Sequence, residues 1–140
     1  MNRKIVLLTL VIAVLSSCAT ICMTMNVAST LPVHNVNTTL DYATIQQAID
    51  APETRNGHTI RVDAGTYKET VNISKSLIVM GQDEATTVID AKGYDNGFYS
   101  NATKGVVITS FTVQNARYAG IELFSYCSGF SVTRTTVKNC

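Results

Sequence analysis

The feature that most constrains the fold is a repeat of about 24 residues in the second half of the chain. A five-residue motif (Thr, Val, any residue, Asp or Asn, a small residue) begins at Thr87, Thr112 and Thr136, with steps of 25 and 24 residues. Two other short motifs recur in a fixed order around it. The first comprises residues 78–79, 107–108 and 131–132, and the second comprises residues 97–100 and 120–123. Three motifs in constant order predict three strands per turn of a coil.

Such a coil is a parallel β-helix, in which each short strand pairs with its equivalent in the next turn at about 4.8 Å. Equivalent side chains then stack along the axis of the coil. We therefore expect Val88, Val113 and Val137 to form one continuous column inside a three-sided tube. A β-sandwich would alternate apolar and polar residues without a fixed 24-residue period.

Asp90, Asn115 and Asn139 follow the strands and are predicted to form a structural ladder at a corner. Asn tolerates the left-handed backbone that a sharp corner requires, and stacked amides can hydrogen-bond from coil to coil. The segment 91–105 is predicted to contain extra residues in a protruding loop.

The N-terminal residues 1–29 have the organisation of an export signal. Arg3 and Lys4 precede an apolar run over residues 5–15, which is short for a membrane span, and small residues follow. Cys18 lies in a sequence similar to a lipoprotein box and is a candidate for lipidation. Ordinary cleavage after Ala19 or after Ser29 is the alternative. Contact with a membrane is expected only through this leader or a lipid anchor, and the protein is expected in the periplasm, at the cell surface or outside the cell.

Residues 30–40 are polar and aperiodic, and we interpret them as a linker. Asp41 is predicted to be the N-cap of a short amphipathic helix over residues 42–50, with Pro52 and Gly57 beyond its end. The β-helix domain is assigned to residues 41–140.

Composition and spacing argue against several classes of function. The net charge is +1 with 15% charged residues, so no basic patch for nucleic acid is expected. No metal or other cofactor is predicted, because the candidate ligands are scattered. These candidates are His34, His58, Asp83, Glu84, Cys127 and Cys140. Asp83 and Glu84 are interpreted as a solvated pair in a turn.

Cys127 and Cys140 are expected to be free, small, buried or half-buried residues, with a disulfide as the alternative.

Two stretches resemble known families. Residues 41–50 and 59–71, including Gly65, Tyr67 and Glu69 of a G-x-Y-x-E element, look like the opening of pectinesterase and pectate-lyase-like β-helices. Residues 107–123 are similar to NosD-like repeats. The resemblance implies an all-β, right-handed, single-stranded parallel β-helix with a short N-terminal capping helix. It implies less about function, because this architecture hosts lyases, esterases, adhesins and binding modules.

The catalytic residues of the pectinesterase family do not carry over to this sequence. The resemblance implies a Gln near residue 119, where this chain has Ala119, and two Asp motifs that would lie beyond Cys140. We therefore assign no catalytic residues. Because the sequence stops after a predicted strand without a closing coil, we expect a truncated C-terminus. Self-association through the open edge is the alternative.

The remaining chemistry points to carbohydrate. The clustered candidates for a weak ligand site are Tyr94, Tyr99, Tyr118, Glu122 and Tyr126. The candidate glycosylation sites are Asn37, Asn72 and Asn101. We expect an exported, non-catalytic module that contacts polysaccharide or a cell-envelope glycan. The alternative is the N-terminal remnant of a polysaccharide-modifying enzyme. A role in copper delivery is weaker, because His, Met and Cys do not cluster after residue 30.

Overall fold

The computed structural model describes residues 31–101, 103–124 and 126–140. The predicted export signal, the candidate lipidation at Cys18 and both cleavage points lie outside the described residues. The described elements, in chain order, are β1 (Val33–Asn35), β2 (Leu40–Tyr42), α1 (Ile45–Asp50), β3 (Thr59–Val62), β4 (Gly65–Tyr67), β5 (Val71–Asn72), β6 (Ile78–Gly81), β7 (Thr87–Asp90), β8 (Asn96–Asn101), β9 (Val107–Gln114), β10 (Ala119–Phe124) and β11 (Ser131–Lys138).

These strands form a β-solenoid of about three turns, as the repeat predicts. On the first face β3, β6 and the first halves of β9 and β11 pair in parallel. The second face contains β4, β7 and the second halves of β9 and β11. The third face contains β5, β8 and β10. β9 and β11 therefore each cover two faces, and they turn the corner at Ser110 (φ 64°) and Arg134 (φ 44°).

The predicted register is confirmed for two of the three motifs. Val79, Ile108 and Val132 are aligned on the first face, and Phe98 and Ile121 are aligned on the third. Side chains on adjacent turns thus stack in rows, as expected for a coil with in-register parallel strands.

The predicted column of Val88, Val113 and Val137 is wrong by one residue. Val113 and Val137 are aligned, but the residue below them is Ile89, whereas Val88 is aligned with Thr112. Ile89 is fully buried and Val88 is only partly buried. Because successive strand residues point to opposite faces, this shift of one residue moves Val88 from the interior to the outer surface. The second-face step is 24 residues in both turns, not 25 and then 24.

The extra residues also lie in a different place from the one predicted. β6 ends at Gly81 and β7 begins at Thr87, whereas the equivalent parts of β9 are continuous. The inserted turn is therefore formed by residues 82–86. The segment 91–105, predicted as a protruding loop, instead contains the six-residue strand β8.

The segment interpreted as a linker carries a β-hairpin. β1 pairs antiparallel with β2 on one side and with β3 on the other. Val33 and Asn35 are fully buried, so this hairpin covers one edge of the first face and belongs to the domain.

Helix α1 begins at Ile45, and its N-cap is Thr44, whose side chain accepts from the backbone N–H of Gln47. The prediction of Asp41 as the N-cap is wrong, because Asp41 lies in β2. The Glu69 carboxylate accepts from the N–H groups of Ile45 (3.1 Å) and Gln46 (3.0 Å). A carboxylate at this end satisfies donors that have no partner within the helix.

The opposite end of α1 is held by Lys75. Its ammonium donates to the carbonyls of Ile49 (2.6 Å) and Ala51 (3.0 Å). A cation is favourable here because the last carbonyls of a helix carry partial negative charge. The six-residue helix is too short to be stable alone, and its buried face of Ile45, Ala48 and Ile49 packs against the solenoid.

The core is a single cluster of apolar side chains inside the coil. Phe98 of the third face and Phe111 of the second are fully buried and meet edge to face, with ring centroids 5.2 Å apart. Among the described residues, Cys127 and Cys140 are the cysteines, and no disulfide joins them to each other. Cys127 is half-buried, as expected, whereas Cys140 is exposed.

Within the described part of the chain, no helix has the length and apolar character needed to cross a membrane.

Candidate functional site

The outer surface of the third face carries one continuous row of polar and aromatic side chains. Asn72 of β5 is aligned with Tyr99 of β8, and Tyr99 is aligned with Glu122 of β10. Neighbouring residues in this row are one strand spacing apart, about 4.8 Å. The row therefore runs along the solenoid axis and crosses three turns.

A shallow groove of about 390 Å³ lies along this row. Its lining residues are Thr70, Asn72, Tyr94, Asp95, Asn96 and Tyr99. The turn before β8 forms one side of the groove, and Tyr94 within this turn is 43% exposed. Two tyrosine rings, two side-chain amides and one carboxylate thus meet in a single open concavity.

The side-chain amide of Asn96 connects the groove to Glu122. Its Nδ2 donates to a carboxylate oxygen of Glu122 at 2.8 Å. Among the described residues, its buried Oδ1 has no hydrogen-bond partner. Because this oxygen is shielded from solvent, a ligand in the groove does not reach it in this conformation.

The side of the groove is braced by the next turn of the coil. Arg117 pairs with Asp95 at 3.2 Å and also donates to the carbonyl of Gly93 at 3.2 Å. The backbone N–H groups of Arg117 and Tyr118 donate to the carbonyls of Tyr94 and Asp95. These contacts hold the turn before β8 in place, so the groove is a preformed feature of the fold.

Three of the five predicted ligand residues meet here, and two do not. Tyr94 and Tyr99 line the groove, and Glu122 adjoins it through Asn96. Tyr118 is 73% exposed and does not line the groove, although its backbone contacts Asp95. Tyr126 is 90% exposed with a φ of 62°, in the turn after β10, and is not among the lining residues.

The predicted corner ladder has a definite geometry. The Asn115 amide donates to the Asp90 carboxylate at 2.8 Å. Asn115 and Asn139 have φ values of 62° and 56°, which is the left-handed region. The backbone registers are offset by one residue, because Asp90 is aligned with Gln114. The asparagines therefore shape the corner.

The three candidate glycosylation sites occupy different surroundings. The Asn37 side chain accepts from the backbone N–H of Thr59 at 2.8 Å. Asn101 is exposed at the end of β8. Asn72 is exposed and lines the groove.

A larger concavity of about 480 Å³ lies beside the inserted turn on the second face. Here Thr112 donates to the Glu84 carbonyl and Thr136 donates to the Glu84 carboxylate. Asp83 accepts from the N–H of Ala85. The Asp83 and Glu84 pair thus fastens the turn to the coil. This concavity contains no aromatic side chain, so the smaller groove is the better ligand site.

A charged cluster joins the N-terminal hairpin to β3. The His34 ring contacts Asp41 at 2.6 Å and Asp63 at 3.0 Å. Hydrogen bonds to Asp63 and then to Asp41 raise the pKa of His34 above its ordinary value of 6.5. Within the described residues, no group of three or more His, Cys, Asp or Glu side chains has the arrangement of a metal site.

The sequence did not identify Thr70, Asp95 and Asn96 as groove residues. It identified Asn72 only as a candidate glycosylation site. The row is hard to recognise in the sequence because the intervals between its successive residues differ. Asn72 and Tyr99 are 27 positions apart, whereas Tyr99 and Glu122 are 23 apart. Only the regular turns of the coil repeat at a constant interval.

Comparison with known proteins adds one relative. The chain is 31% identical over 142 aligned positions to a protein named cell surface glycoprotein from Methanothermus fervidus. The alignment includes 87% of this chain but only 23% of the relative's length. No protein-family model matches the chain, and no solved structure matches it.

Proposed function

We propose that this chain is a surface-exposed β-solenoid module that binds an extended glycan along its third face. The observation that carries the proposal is the groove, in which Tyr94 and Tyr99 lie beside Asn72, Asp95 and Asn96. Binding sites commonly combine aromatic surface with a few well-placed polar groups. The groove lies along the row that crosses successive turns, and a linear polymer of sugars has a matching shape.

Each groove residue has a role in this proposal. The tyrosine rings provide flat apolar surface for the C–H face of a sugar ring, and their hydroxyls remain in water. The exposed amide of Asn72 can donate a hydrogen bond to a sugar hydroxyl or accept one from it. The lining contains Asp95 and no cationic side chain. We therefore expect neutral or amino sugars to bind better than uronates.

The proposal is for binding without catalysis. The two carboxylates at the groove already have partners, since Glu122 accepts from Asn96 and Asp95 pairs with Arg117. Each of these carboxylates is thus already engaged in a contact within the protein. This favours a binding role over an acid–base role.

The surface location and the wider family also belong to the proposal. The signal-like residues 1–29 and the name of the similar protein from Methanothermus fervidus support export to the cell surface. Membership of the pectin-lyase-like superfamily is supported by the G-x-Y-x-E element. Glu69 of this element binds the N-terminus of α1, and Tyr67 donates to the Asp63 carbonyl at 2.9 Å. The element thus attaches the capping helix to the first turn.

The proposal is tested by replacing one ring in the groove. We expect Tyr99→Ala to weaken binding of a neutral or amino-sugar oligosaccharide about tenfold or more, because an aromatic anchor is lost. Isothermal titration against a panel of neutral, amino-sugar and uronate oligosaccharides would measure this. Tyr126→Ala is the matched control, since Tyr126 is 90% exposed and outside the groove. Equal binding by the wild type and the Tyr99 variant, or preference for uronates, would contradict the proposal.

A further inference from the structure

Asn72 in the groove is also a candidate acceptor for an N-linked glycan. Asn72, Ile73 and Ser74 form an Asn-x-Ser sequon, the acceptor sequence for N-linked glycans in exported proteins. Asn72 and Ser74 are both exposed, whereas Ile73 between them is fully buried. The acceptor amide and the hydroxyl that the sequon requires are therefore accessible on the folded surface.

The backbone of Asn72 is fixed while its side chain remains available. The Gln46 side chain accepts from the Asn72 N–H at 2.7 Å and donates to the Asn72 carbonyl at 3.2 Å. Within the described part of the chain, no hydrogen bond engages the Asn72 side-chain amide. Asn37 differs, because its side-chain oxygen is used by Thr59.

We propose that Asn72 is N-glycosylated and that the attached glycan lies in the groove, where it excludes other glycans. The inference rests on the proposed function, since it adds regulation to the same groove. Asn72 and Tyr99 are register neighbours on adjacent strands, so the first sugars on Asn72 start beside the Tyr99 ring. Asn37 and Asn101 do not line the groove.

The chemistry of the modification is a simple substitution. The Asn72 Nδ2 attacks the anomeric carbon of an oligosaccharide carried on a lipid phosphate or diphosphate. The new bond joins nitrogen to carbon, the bond from that carbon to the phosphate oxygen breaks, and the lipid phosphate leaves. Nδ2 loses one proton to a base of the glycosyltransferase. No atom is oxidised or reduced.

Occupation of the groove has a measurable consequence. A tethered ligand is present at a high effective concentration beside its site, so it competes well even when its affinity is weak. The apparent affinity for a free glycan falls in proportion to the fraction of molecules whose groove is open, and we expect a loss of about tenfold. A protein made without N-glycans should therefore bind free oligosaccharide more tightly than the glycosylated protein.

The first test locates the modification. The full chain is secreted from a host that installs N-glycans, and glycopeptides are analysed by mass spectrometry. We expect a glycan on Asn72 in the wild type and none in Ser74→Ala, which removes the sequon and leaves Asn72 in place. Thr39→Ala is the matched control, because it removes the Asn37 sequon outside the groove. An unmodified Asn72 in the wild type would overturn the inference and leave the proposed function intact.

The second test locates the glycan and does not depend on binding of a free ligand. Nitration of tyrosines is compared between the wild type and Ser74→Ala from the same host. We expect the Asn72 glycan to slow the nitration of Tyr94 or Tyr99 about fivefold or more. The nitration rate should follow the fraction of molecules whose groove is open. Tyr118 and Tyr126, which are 73% and 90% exposed, should react equally in both proteins.

The two tests separate the inference from the proposed function. If Asn72 is glycosylated but Tyr94 and Tyr99 react as fast as in Ser74→Ala, the glycan lies outside the groove and the inference is wrong. If the tyrosines are protected but no free oligosaccharide binds any form of the protein, the placement of the Asn72 glycan in the groove stands and the exclusion of other glycans is wrong. In that case the proposed binding of external glycans fails.

Discussion

At the scale of single residues, His34 shows how one side chain joins separate parts of the fold. Its ring lies between the carboxylates of Asp41 in β2 and Asp63 after β3. Arg61 lies 3.8 Å from Asp63, and Tyr67 donates to the Asp63 carbonyl. Burial, together with the charges of Asp63 and Glu69, raises the pKa of Tyr67 to about 12. Tyr67 is therefore neutral when His34 titrates, and the cluster consists of one imidazolium, two carboxylates and a more distant guanidinium.

We predict that His34 makes the stability of the protein depend on pH. Because the folded-state pKa of His34 is raised, its contribution is fully present below the unfolded value of 6.5 and is lost as pH rises through the folded pKa. The free energy of unfolding of the wild type, measured by urea denaturation, should therefore fall above pH 6.5. His34→Gln should remove this part of the pH dependence. A parallel decline in both proteins would contradict the prediction. His58→Gln serves as a control for the other histidine of the chain.

At the scale of elements, side chains of α1 cover a strand edge in the first turn of the solenoid. None of the described strands pairs with the outer edge of β5, and the Gln46 amide binds both the N–H and the carbonyl of Asn72. One glutamine thus satisfies the groups that a neighbouring strand would satisfy. Exposed strand edges are sites of unwanted pairing, and covering them protects the sheet.

We predict that Gln46→Ala lowers the free energy of unfolding by about 1–2 kcal/mol, because two hydrogen bonds to a strand edge are lost. Hydrogen exchange at the Asn72 N–H should become faster at the same time. Gln47→Ala is the matched control on the same helix, since the Gln47 side chain is exposed. A loss of stability equal to that of the control, with unchanged exchange at Asn72, would rule out this role for Gln46.

At the scale of the whole molecule, stability comes from side chains that stack from turn to turn. Ile89, Val113 and Val137 form the interior row of the second face, and Val88, Thr112 and Thr136 form the outer row beside it. Each turn buries its apolar row against the same row of the next turn. The energetic contribution of a residue therefore depends on which row it occupies.

We predict different outcomes for two adjacent apolar residues. Ile89→Ala should destabilise the protein by about 2–5 kcal/mol, because it leaves a cavity in the core. Val88→Thr should change stability by less than about 1 kcal/mol, because Val88 is only partly buried and lies outside the core, in register with Thr112. Urea denaturation would measure both free energies. If the Val88 variant were the more destabilised of the two, the assignment of Ile89 to the interior row would be wrong.

The sequence by itself determined the fold class and two of the three rows. An interval of about 24 residues with apolar β-branched positions can be satisfied only by stacking equivalent strands, so the solenoid follows from the pattern. The left-handed corners at Asn115 and Asn139 follow from residue type in the same way. The clustering of aromatic and acidic residues predicted Tyr94, Tyr99 and Glu122 as ligand residues, together with Tyr118 and Tyr126, which the groove does not include.

Only the tertiary structure decided the register of the second face, the hairpin at residues 33–42 and the membership of the groove. A motif such as Thr-Val can be aligned in two ways that differ by one residue, and burial of Ile89 selects one of them. The hairpin depends on contacts with β3, which lies more than 15 positions later. The groove unites Asn72 with Tyr99 across a turn of irregular length, and contacts distant in the sequence cannot be inferred from local periodicity.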